Sequence, residues 1–351
     1  MTIVDRNTKP FLLTVRGRNL TSSWRALRRR LLTPNVVETS LDKRGFHKKS
    51  PAAQERLETV GKTFITGYAH AVEARTPADA EARIEQLPDW LRGFAYEGAG
   101  MGLAMLDGLP FGRSDNVRRF LATPRGDAYQ YLAYVGIGWA MARLPRFRWP
   151  KPTALDPVLG PLVLDGYGFH QAYFHTARYI DGQYRDPGFP WPGGPHGSYA
   201  NNAIDQGIGR AAWFIRGTDP VLVADLIDSF PVARRADLWS GVGLAATYAG
   251  GGDDRAAAEQ ELRTLVNRAG EYRGNLAQGS AFAANARVRA GIIPAHSALA
   301  TQVLCGTTPA EASRRTDELR PEYQADGDKP AYEVWRARLA AEFVSLGGVN
   351  S

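Results

Sequence analysis

The chain has 351 residues, an ordinary globular composition with 44% hydrophobic and 23% charged residues, and a net charge of +7. This length is enough for one large or two ordinary domains, no apolar run reaches the ~18 residues of a membrane-spanning helix, and the single cysteine excludes an internal disulfide. The first 30 residues do not resemble a signal peptide, so the sequence predicts a soluble cytoplasmic protein without membrane insertion.

The first 50 residues are the basic part of the chain. They contain 12 Lys and Arg against 3 Asp and Glu, a net charge of +9, so the remaining residues together carry −2. Within them, "SSWRALRRRLL" predicts a serine-capped helix with Trp24, Leu27 and Leu31 on one face. We interpret residues 1–50 as a basic N-terminal arm and residues 51–351 as a helical-repeat domain. The arm suits either a solvated docking helix or an acidic partner, and no zinc-finger or RNA-binding signature indicates nucleic acid.

A weak internal repeat is the strongest structural signal in the sequence. Six segments share a pattern of small-x-small-bulky-Ala, apart from the exceptions described below. They begin at Gly100 ("GMGLAM"), Gly136 ("GIGWAM"), Gly166 ("GYGFHQ"), Gly207 ("GIGRAA"), Gly241 ("GVGLAA") and Gly279 ("GSAFAA"). Successive segments begin 30 to 41 residues apart, and a period of this size predicts stacked helical hairpins. Paired small residues let helix backbones approach closely, and no strand precedes a copy as a dinucleotide-binding loop would require.

Helix start signals lie between the repeat segments. They are Thr76 followed by Pro77 and Asp79, Asp219 followed by Pro220, and Thr308 followed by Pro309 and Glu311. Alternating strand patterns are nearly absent. The sequence therefore predicts an all-α protein in which repeated helical hairpins form an α-solenoid or an α/α ring-like single domain. The Pro- and Gly-rich residues 182–199 are predicted to form a loop.

Two residues break the repeat pattern. At the fifth motif position, five copies have Ala, such as Ala104, and the third copy has His170. At the fourth motif position, five copies have a bulky apolar residue, such as Leu103, and the fourth copy has Arg210. A buried Arg needs an anionic partner or ligand, and a His in place of a packing Ala needs room and hydrogen-bond partners. Because the two exceptions belong to neighbouring copies, we expect them to face a common space. The alternatives are a satisfied core histidine and an Arg that pairs with Asp205 or another acid.

Other candidate sites are weaker, and we predict no metal site. His170 and His175 are five residues apart, hence about 140° apart on a helix, which does not favour a shared metal ion. Cys305 is expected to be a small core residue rather than a reactive thiol. The three acidic residues within 253–259 are expected in the first turn of a helix rather than in a magnesium cluster. No cofactor-binding motif is recognisable, so a cofactor remains unknown at this point.

Several longer segments resemble a known bacterial family. They are "RRRLLTPNVVETSLDKRGFH", "TFITGYAHAVEA", "DGYGFHQAYFH", "GVGLAATYAGG" and "NLAQGSAFAANARVRAG". In this order they resemble the UnbL-type enediyne biosynthesis proteins, a conserved family of unknown function encoded in enediyne warhead cassettes, over a stretch from about Trp24 to Cys305. The resemblance implies a role in antibiotic biosynthesis beside an iterative polyketide synthase and a thioesterase that make a linear polyene. It implies no catalytic residues.

Three functional hypotheses follow, of which we adopt the first. The protein acts on a long polyene or other polyketide intermediate in enediyne-type natural product formation: His170 would transfer protons, Arg210 would hold a carboxylate or developing charge, and Tyr173, His175 and Asp165 would surround them. The second is an isoprenoid or polyene cyclase with an aromatic-lined cavity, although "DxDD" and a clean "DDxxD" are absent. The third is a non-catalytic helical scaffold that docks a polyketide synthase or an acidic carrier protein. The expected ligand is an elongated apolar small molecule.

Overall fold

The structure, a computed structural model, describes residues 23–110, 115–150, 155–191, 199–252, 254–322 and 329–345. Within these ranges the chain is a single all-helical domain without a β-strand, which confirms the predicted all-α class. Its helices are α1 (residues 23–32), α2 (Leu41–Arg44), α3 (Pro51–Glu73), α4 (Pro77–Ile84), α5 (Asp89–Asp107), α6 (Asn116–Leu121), α7 (Pro124–Ala128), α8 (Gln130–Met141), α9 (Pro161–Phe174), α10 (Ala200–Ile215), α11 (Pro220–Asp228), α12 (Val232–Tyr248), α13 (Arg255–Ala269), α14 (Arg273–Ala290), α15 (Ala295–Cys305), α16 (Pro309–Glu318) and α17 (Ala331–Ser345). Short 3-10 turns lie at Val36–Thr39, Arg146–Arg148 and Gly270–Tyr272, and a π-helical turn lies at Ala177–Asp181.

The predicted start signals act as helix N-caps. The Thr76 side chain accepts a hydrogen bond from the backbone N–H of Asp79, whose carboxylate accepts one from the backbone N–H of Thr76, which is a complete capping box. Asp219 caps α11 and Thr308 caps α16 in the predicted places. These connecting helices therefore begin where local sequence chemistry requires.

The repeat segments lie on the helices that build the core. They fall on α5, α8, α9, α10, α12 and α14, and each of these helices packs against the next in that order. The helix α3 packs against α5 at the start of the series, and α16 and α17 pack against α14 at its end. The remaining helices connect or cover this series.

In the first five copies, the two glycines of the motif allow the helix to touch two neighbours, whereas the sixth copy has Gly279 alone. At Gly166 of α9, an added Cβ atom would lie 2.0 Å from the carbonyl oxygen of Val135 in α8; at Gly168, it would lie 2.1 Å from the carbonyl oxygen of Ile204 in α10. The first glycine thus faces the preceding helix and the second faces the following one. Because backbone atoms occupy the space of a side chain, only glycine fits at these two positions.

The first repeat copy is shifted by two residues from the alignment made on sequence. An added Cβ at Gly98 would lie 1.9 Å from a carbonyl oxygen of α3, and one at Gly100 would lie 2.6 Å from a carbonyl oxygen of α8. Gly98 and Gly100, not Gly100 and Gly102, therefore match the glycine pairs of the other copies. The fourth motif position of this copy is Met101 rather than Leu103, which packs in a smaller hydrophobic cluster outside the main core.

Part of the predicted arm packs on the domain. Leu41 and Phe46 are buried in the main core, and the backbone N–H of Leu41 donates to the Glu58 carboxylate at 3.1 Å. The Lys49 ammonium lies 2.6 Å from the Glu261 carboxylate. Residues 1–22 lie outside the described part of the chain.

The helix predicted within the arm forms as α1. Its Arg28 side chain donates to the carbonyl oxygen of Val72 at 2.5 Å, which fixes α1 to the end of α3. The predicted apolar face points to solvent, because Trp24 is 61%, Leu27 45% and Leu31 70% exposed. Among the described helices, none has the length and apolar character needed to cross a membrane.

Candidate functional site

The core helices line a cavity of about 640 Å³. Ligand sites for small molecules typically measure roughly 300–1,000 Å³, so the cavity is large enough for a sizeable ligand. Its wall includes the fourth motif position of every copy in the corrected register. These six residues are Met101, Trp139, Phe169, Arg210, Leu244 and Phe282. The helices α3 and α17 contribute further wall residues, among them Phe64 and Trp335.

The cavity extends from the protein surface to the interior. Its wall contains the exposed residues Asn35, Arg143 and His175. Deeper wall residues such as Phe282 and Trp335 are buried. A ligand that fills this space would meet polar residues at the surface and a largely apolar interior in which Glu97 and Arg210 are buried charged groups.

Four of the five predicted site residues line this one cavity. His170, Arg210, Tyr173 and His175 are all part of its wall. Asp165 is fully buried and does not line the cavity, but it pairs with Arg210. The two residues that break the repeat therefore face a common space.

Arg210 bridges two buried carboxylates. Its Nη1 donates to Oδ1 of Asp165, and its Nη2 lies 3.7 Å from Oε1 of Glu97. Asp205, the partner considered on sequence grounds, pairs instead with Arg234 at 2.6 Å. Because two acids already face Arg210, a substrate carboxylate would add a third negative charge beside a single cation. The geometry thus disfavours a carboxylate-binding role for Arg210.

Glu97 of α5 is a wall residue that the sequence analysis missed. It is only 4% exposed, and burial raises the pKa of its carboxyl group to about 7, an effect that the nearby Arg210 guanidinium partly opposes. A carboxyl group with such a pKa can both take up and release a proton near neutral pH.

A signal for Glu97 exists in the sequence, one residue before each glycine pair. In the corrected register this position holds Glu97, Val135, Asp165, Gln206, Ser240 and Gln278. Five of these six side chains are polar, and all six are buried. A polar residue that recurs within apolar core helices indicates a buried polar network or site.

His170 is buried in an aromatic environment. Its ring meets the Trp139 ring edge-on with 5.5 Å between centroids, and its Nδ1 has no hydrogen-bond partner in the protein. Burial lowers the pKa of His170 to about 3, so the imidazole is neutral at physiological pH. This environment does not suit the expected proton transfer by a histidine that titrates near pH 7.

Three further residues of the cavity wall, Tyr131, Trp139 and Tyr248, have a polar side-chain atom without a direct hydrogen bond. The hydroxyl group of Tyr248 makes no hydrogen bond within the described protein, whereas the indole nitrogen of Trp139 lies near enough to the Glu97 carboxyl group to lower its pKa without a direct hydrogen bond of normal geometry. Trp139 is 9% and Tyr248 4% exposed, so solvent hardly reaches them. Since buried donors without an acceptor are costly, these groups are available to a bound ligand or water molecule. Tyr173, by contrast, stacks on Phe169, and burial raises the pKa of its hydroxyl group to about 12.

The other candidate groups have structural roles. Cys305 is buried and its thiol lies 3.2 Å from a backbone carbonyl oxygen, which confirms its prediction as a core residue. Asp254 caps α13 and Glu259 pairs with Arg263, whereas Asp253 lies outside the described residues. Within the described part of the chain, no cluster of three or more His, Cys, Asp or Glu residues is arranged to hold a metal ion.

Comparison with known proteins gives a family but no described activity. No curated protein and no solved structure matches the chain significantly. A family described as "Protein of unknown function (DUF1702)" matches residues 23–343. Because this match covers nearly the whole chain, the protein belongs to the DUF1702 family.

Proposed function

We propose that the protein binds a long, largely apolar and unsaturated small molecule in its cavity and acts on it as part of enediyne-type natural product biosynthesis. The observation that carries the proposal is the cavity itself, which is large, reaches solvent and has a wall rich in aromatic rings. Conjugated chains stack favourably on such rings. The sequence resemblance to enediyne biosynthesis proteins supplies the setting, in which a linear polyene is the expected substrate.

The position of the polar groups favours chemistry over simple storage. Glu97 and Arg210 are both less than 10% exposed and lie in the cavity wall beside apolar neighbours such as Phe169, whose ring is 5.1 Å from the Arg210 guanidinium. A carrier of apolar molecules gains nothing from buried charges, which cost free energy to desolvate. We further propose that the core helices close around the cavity as an α/α ring.

A cavity-blocking variant tests this proposal. Leu244→Trp would fill part of the cavity, and Val221→Trp, at a 46% exposed surface position, is the matched control. In a producing strain that lacks the gene, we expect the control to restore the natural product and Leu244→Trp to leave an earlier polyene, both measured by mass spectrometry. Full restoration by a folded Leu244→Trp protein would refute a role for the cavity.

His170→Ala is a separate test of one wall residue. The change removes an aromatic contact with Trp139 but no hydrogen bond of Nδ1, so we expect the variant to fold. Loss of product with normal solubility would assign His170 to the site. Normal product titres would show that the imidazole is only a core group.

A second candidate function is docking through α1. The exposed stripe of Trp24, Leu27 and Leu31 lies on a helix that also carries Arg25 and Arg30. An apolar stripe with basic neighbours suits an acidic protein such as a carrier domain of a polyketide synthase. Arg25→Glu with Arg30→Glu should then abolish co-purification with the synthase and leave polyene binding intact. Unchanged co-purification would argue against docking at α1.

A further inference from the structure

Glu97, Asp165 and Arg210 form a buried group of two carboxyl groups and one guanidinium. Asp165 is fully buried and directly paired with Arg210, so it is the permanent counter-charge of the guanidinium. Glu97, farther from Arg210 at 3.7 Å, is the acid that faces the cavity. The group is electrically neutral when Glu97 carries a proton and has one net negative charge when it does not. Proton exchange at Glu97 therefore needs no change in its partners.

An unpaired hydroxyl group lies close to Glu97 along α5. An added Cβ at Gly93, four residues before Glu97, would lie 1.9 Å from Oη of Tyr248. Four residues make about one helical turn, a rise of about 6 Å. The ring of Phe94 holds Tyr248 in place, with 5.2 Å between the ring centroids. The Tyr248 hydroxyl group thus packs against α5 about one turn before Glu97, interacts electrostatically with its carboxyl group and has no hydrogen-bond partner in the described protein.

A proton carrier beside a hydrogen-bond donor is the arrangement that enolises carbonyl compounds. The base removes a proton next to the conjugated system, and the donor stabilises the negative charge that develops on the carbonyl oxygen. Both groups must be shielded from water, as Glu97 and Tyr248 are. A ligand oxygen would also complete the missing hydrogen bond of Tyr248.

We infer that Glu97 is the catalytic proton carrier of this cavity and that its ligand is a long unsaturated carbonyl compound whose oxygen accepts a hydrogen bond from Tyr248. This inference rests on the proposed function and names its substrate class. In the step, the Glu97 carboxylate takes a proton from an allylic C–H group, and the electron pair of that bond moves through the conjugated system to the carbonyl oxygen. Glu97 then returns the proton to another carbon, so a double bond shifts. The reaction is an isomerisation and requires neither oxidant nor reductant.

Arg210 is a positioning residue in this scheme. It does not touch the reacting carbons, and its guanidinium stabilises the Glu97 carboxylate between proton transfers. The charged and titratable groups that face Glu97 are Arg210 of α10, Asp165 of α9 and Tyr248 of α12. His170 is neutral and is not needed for the step.

The test uses the full-length protein and a synthetic linear conjugated trienyl methyl ketone as the probe. Binding is measured by quenching of tryptophan fluorescence, because Trp139 lies in the cavity wall. The ketone is then incubated with the protein in deuterated water, and deuterium at its allylic position is measured by mass spectrometry and NMR. The matched control is Glu81→Gln, since Glu81 is also a carboxyl group with a pKa raised by burial but lies outside the cavity wall.

The wild-type protein should accelerate deuterium uptake, and the rate should rise with pH to a plateau with a midpoint near 7. Glu97→Gln, which keeps the shape of the side chain, should reduce the rate by roughly 100-fold or more and abolish this pH dependence. Tyr248→Phe should reduce it by roughly 100-fold without moving the midpoint. Glu81→Gln should behave as the wild type.

The two proposals fail in different ways. If neither the ketone nor the corresponding hydrocarbon binds saturably to the wild type, the proposed function is wrong. If the ketone binds saturably but its deuterium uptake equals that in buffer, or is equal in the wild type and Glu97→Gln, the proton-carrier inference is wrong and the binding function stands. Circular dichroism on each variant confirms that a lost rate does not reflect unfolding.

Discussion

Two inward positions on the same helices, one turn apart, differ in chemistry. The residue before each glycine pair forms what we name the polar layer: Glu97, Val135, Asp165, Gln206, Ser240 and Gln278. The residue four positions later forms the cavity layer: Met101, Trp139, Phe169, Arg210, Leu244 and Phe282. The helices and their packing are common to both layers, so the difference between the layers is due to side chains alone.

Most polar side chains of the polar layer are hydrogen-bonded within the protein, although the amide nitrogen of Gln278 has no partner in the described residues. Gln206 donates to Asp165 at 2.7 Å and to the hydroxyl group of Tyr332 at 3.0 Å. Ser240 donates to Gln278 at 2.7 Å. Tyr332 belongs to α17, so this helix covers the layer and completes its hydrogen bonds. Such a network fixes the arrangement of the helices.

The cavity layer leaves polar atoms without partners. Trp139 and, at neighbouring wall positions, His170 and Tyr248 each have an unbonded nitrogen or oxygen atom. A buried polar atom without a partner lowers stability, and a ligand that supplies the missing hydrogen bond removes this cost. We therefore assign the hydrogen-bonded polar layer to the stability of the fold and, under the proposed function, the cavity layer to ligand binding.

Glu97 and Arg210 connect the two layers. Glu97 belongs to the polar layer but reaches the cavity, and Arg210 belongs to the cavity layer but binds Asp165 in the polar layer. Substitutions at these two residues should therefore affect both stability and chemistry, whereas substitutions elsewhere should affect mainly one.

The largest effect is expected for Arg210→Met. The change leaves Asp165 and Glu97 buried without their cation, and we expect the free energy of unfolding to fall by about 3–5 kcal/mol. Urea denaturation followed by circular dichroism measures this. The double variant Arg210→Met with Asp165→Asn should lose less than the single one, because the most buried charge is then also gone. A loss below about 1 kcal/mol, typical of surface ion pairs, would show that the layers are not coupled through Arg210.

The pH dependence of stability should reveal Glu97. Its pKa is raised from 4.5 to about 7 in the folded protein, so the folded state holds this proton more tightly than the unfolded chain does. The resulting stabilisation is fully present below pH 4.5, is lost as the pH rises to about 7, and stays absent above that. Its size is on the order of 3 kcal/mol. Glu97→Gln lacks this loss, so its stability relative to the wild type should increase between pH 4.5 and 7.

Comparing the wild type with Glu97→Gln removes the contributions of histidines, whose effect on stability has the opposite pH dependence. Burial lowers the pKa of His170 and of His296 to about 3, so these residues destabilise the fold as the pH falls below 6.5. They are present in both proteins and cancel in the difference. A pH-independent difference between the two proteins would mean that Glu97 does not change its protonation in this range.

A smaller loss of stability is expected when a close contact between two core helices is forced apart. At Gly207→Ala, the new Cβ would lie 1.9 Å from the carbonyl oxygen of Asp165, so α9 and α10 would have to separate, at a cost of about 1–3 kcal/mol. Gly160→Ala is the control, because its Cβ would first meet an atom at 3.5 Å and its φ is −46°. For Gly160→Ala we expect the free energy of unfolding to rise by about 0.4–1 kcal/mol, because alanine makes the unfolded chain less flexible. Equal effects at both sites would contradict the close helix contact.

Much of the fold could be predicted because helix boundaries are set locally. The caps at Thr76, Asp219 and Thr308 depend on a few neighbouring residues, and the repeat period follows from the glycine pairs. The register of the first copy could not be predicted, because "GAGMG" contains two overlapping pairs and only contacts with other helices choose between them. α3 was not recognised as part of the series because it carries a single glycine at the interface, Gly67.

The site was predicted in part for the same reason. His170 and Arg210 were found because each differs from what the other copies have at its position. Glu97 is hidden in the sequence because the overlapping glycines of the first copy leave its register open by two residues. Its pKa and the missing partner of Tyr248 depend on burial by distant helices, which no local pattern encodes.

The finest test compares two residues of α12 that lie one turn apart. Ser240→Ala removes a buried hydrogen bond to Gln278 and should lower the free energy of unfolding by about 1–2 kcal/mol while polyene binding persists. Leu244→Phe extends into the cavity, so we expect a change below about 1 kcal/mol, of either sign, together with weaker polyene binding. Urea denaturation and fluorescence titration measure the two quantities. If Ser240→Ala instead weakened binding and Leu244→Phe cost more stability, the division into a structural and a ligand-binding layer would be wrong. The expected result, in which Ser240→Ala lowers stability and Leu244→Phe weakens binding, would locate the boundary between the two layers within a single turn of one helix.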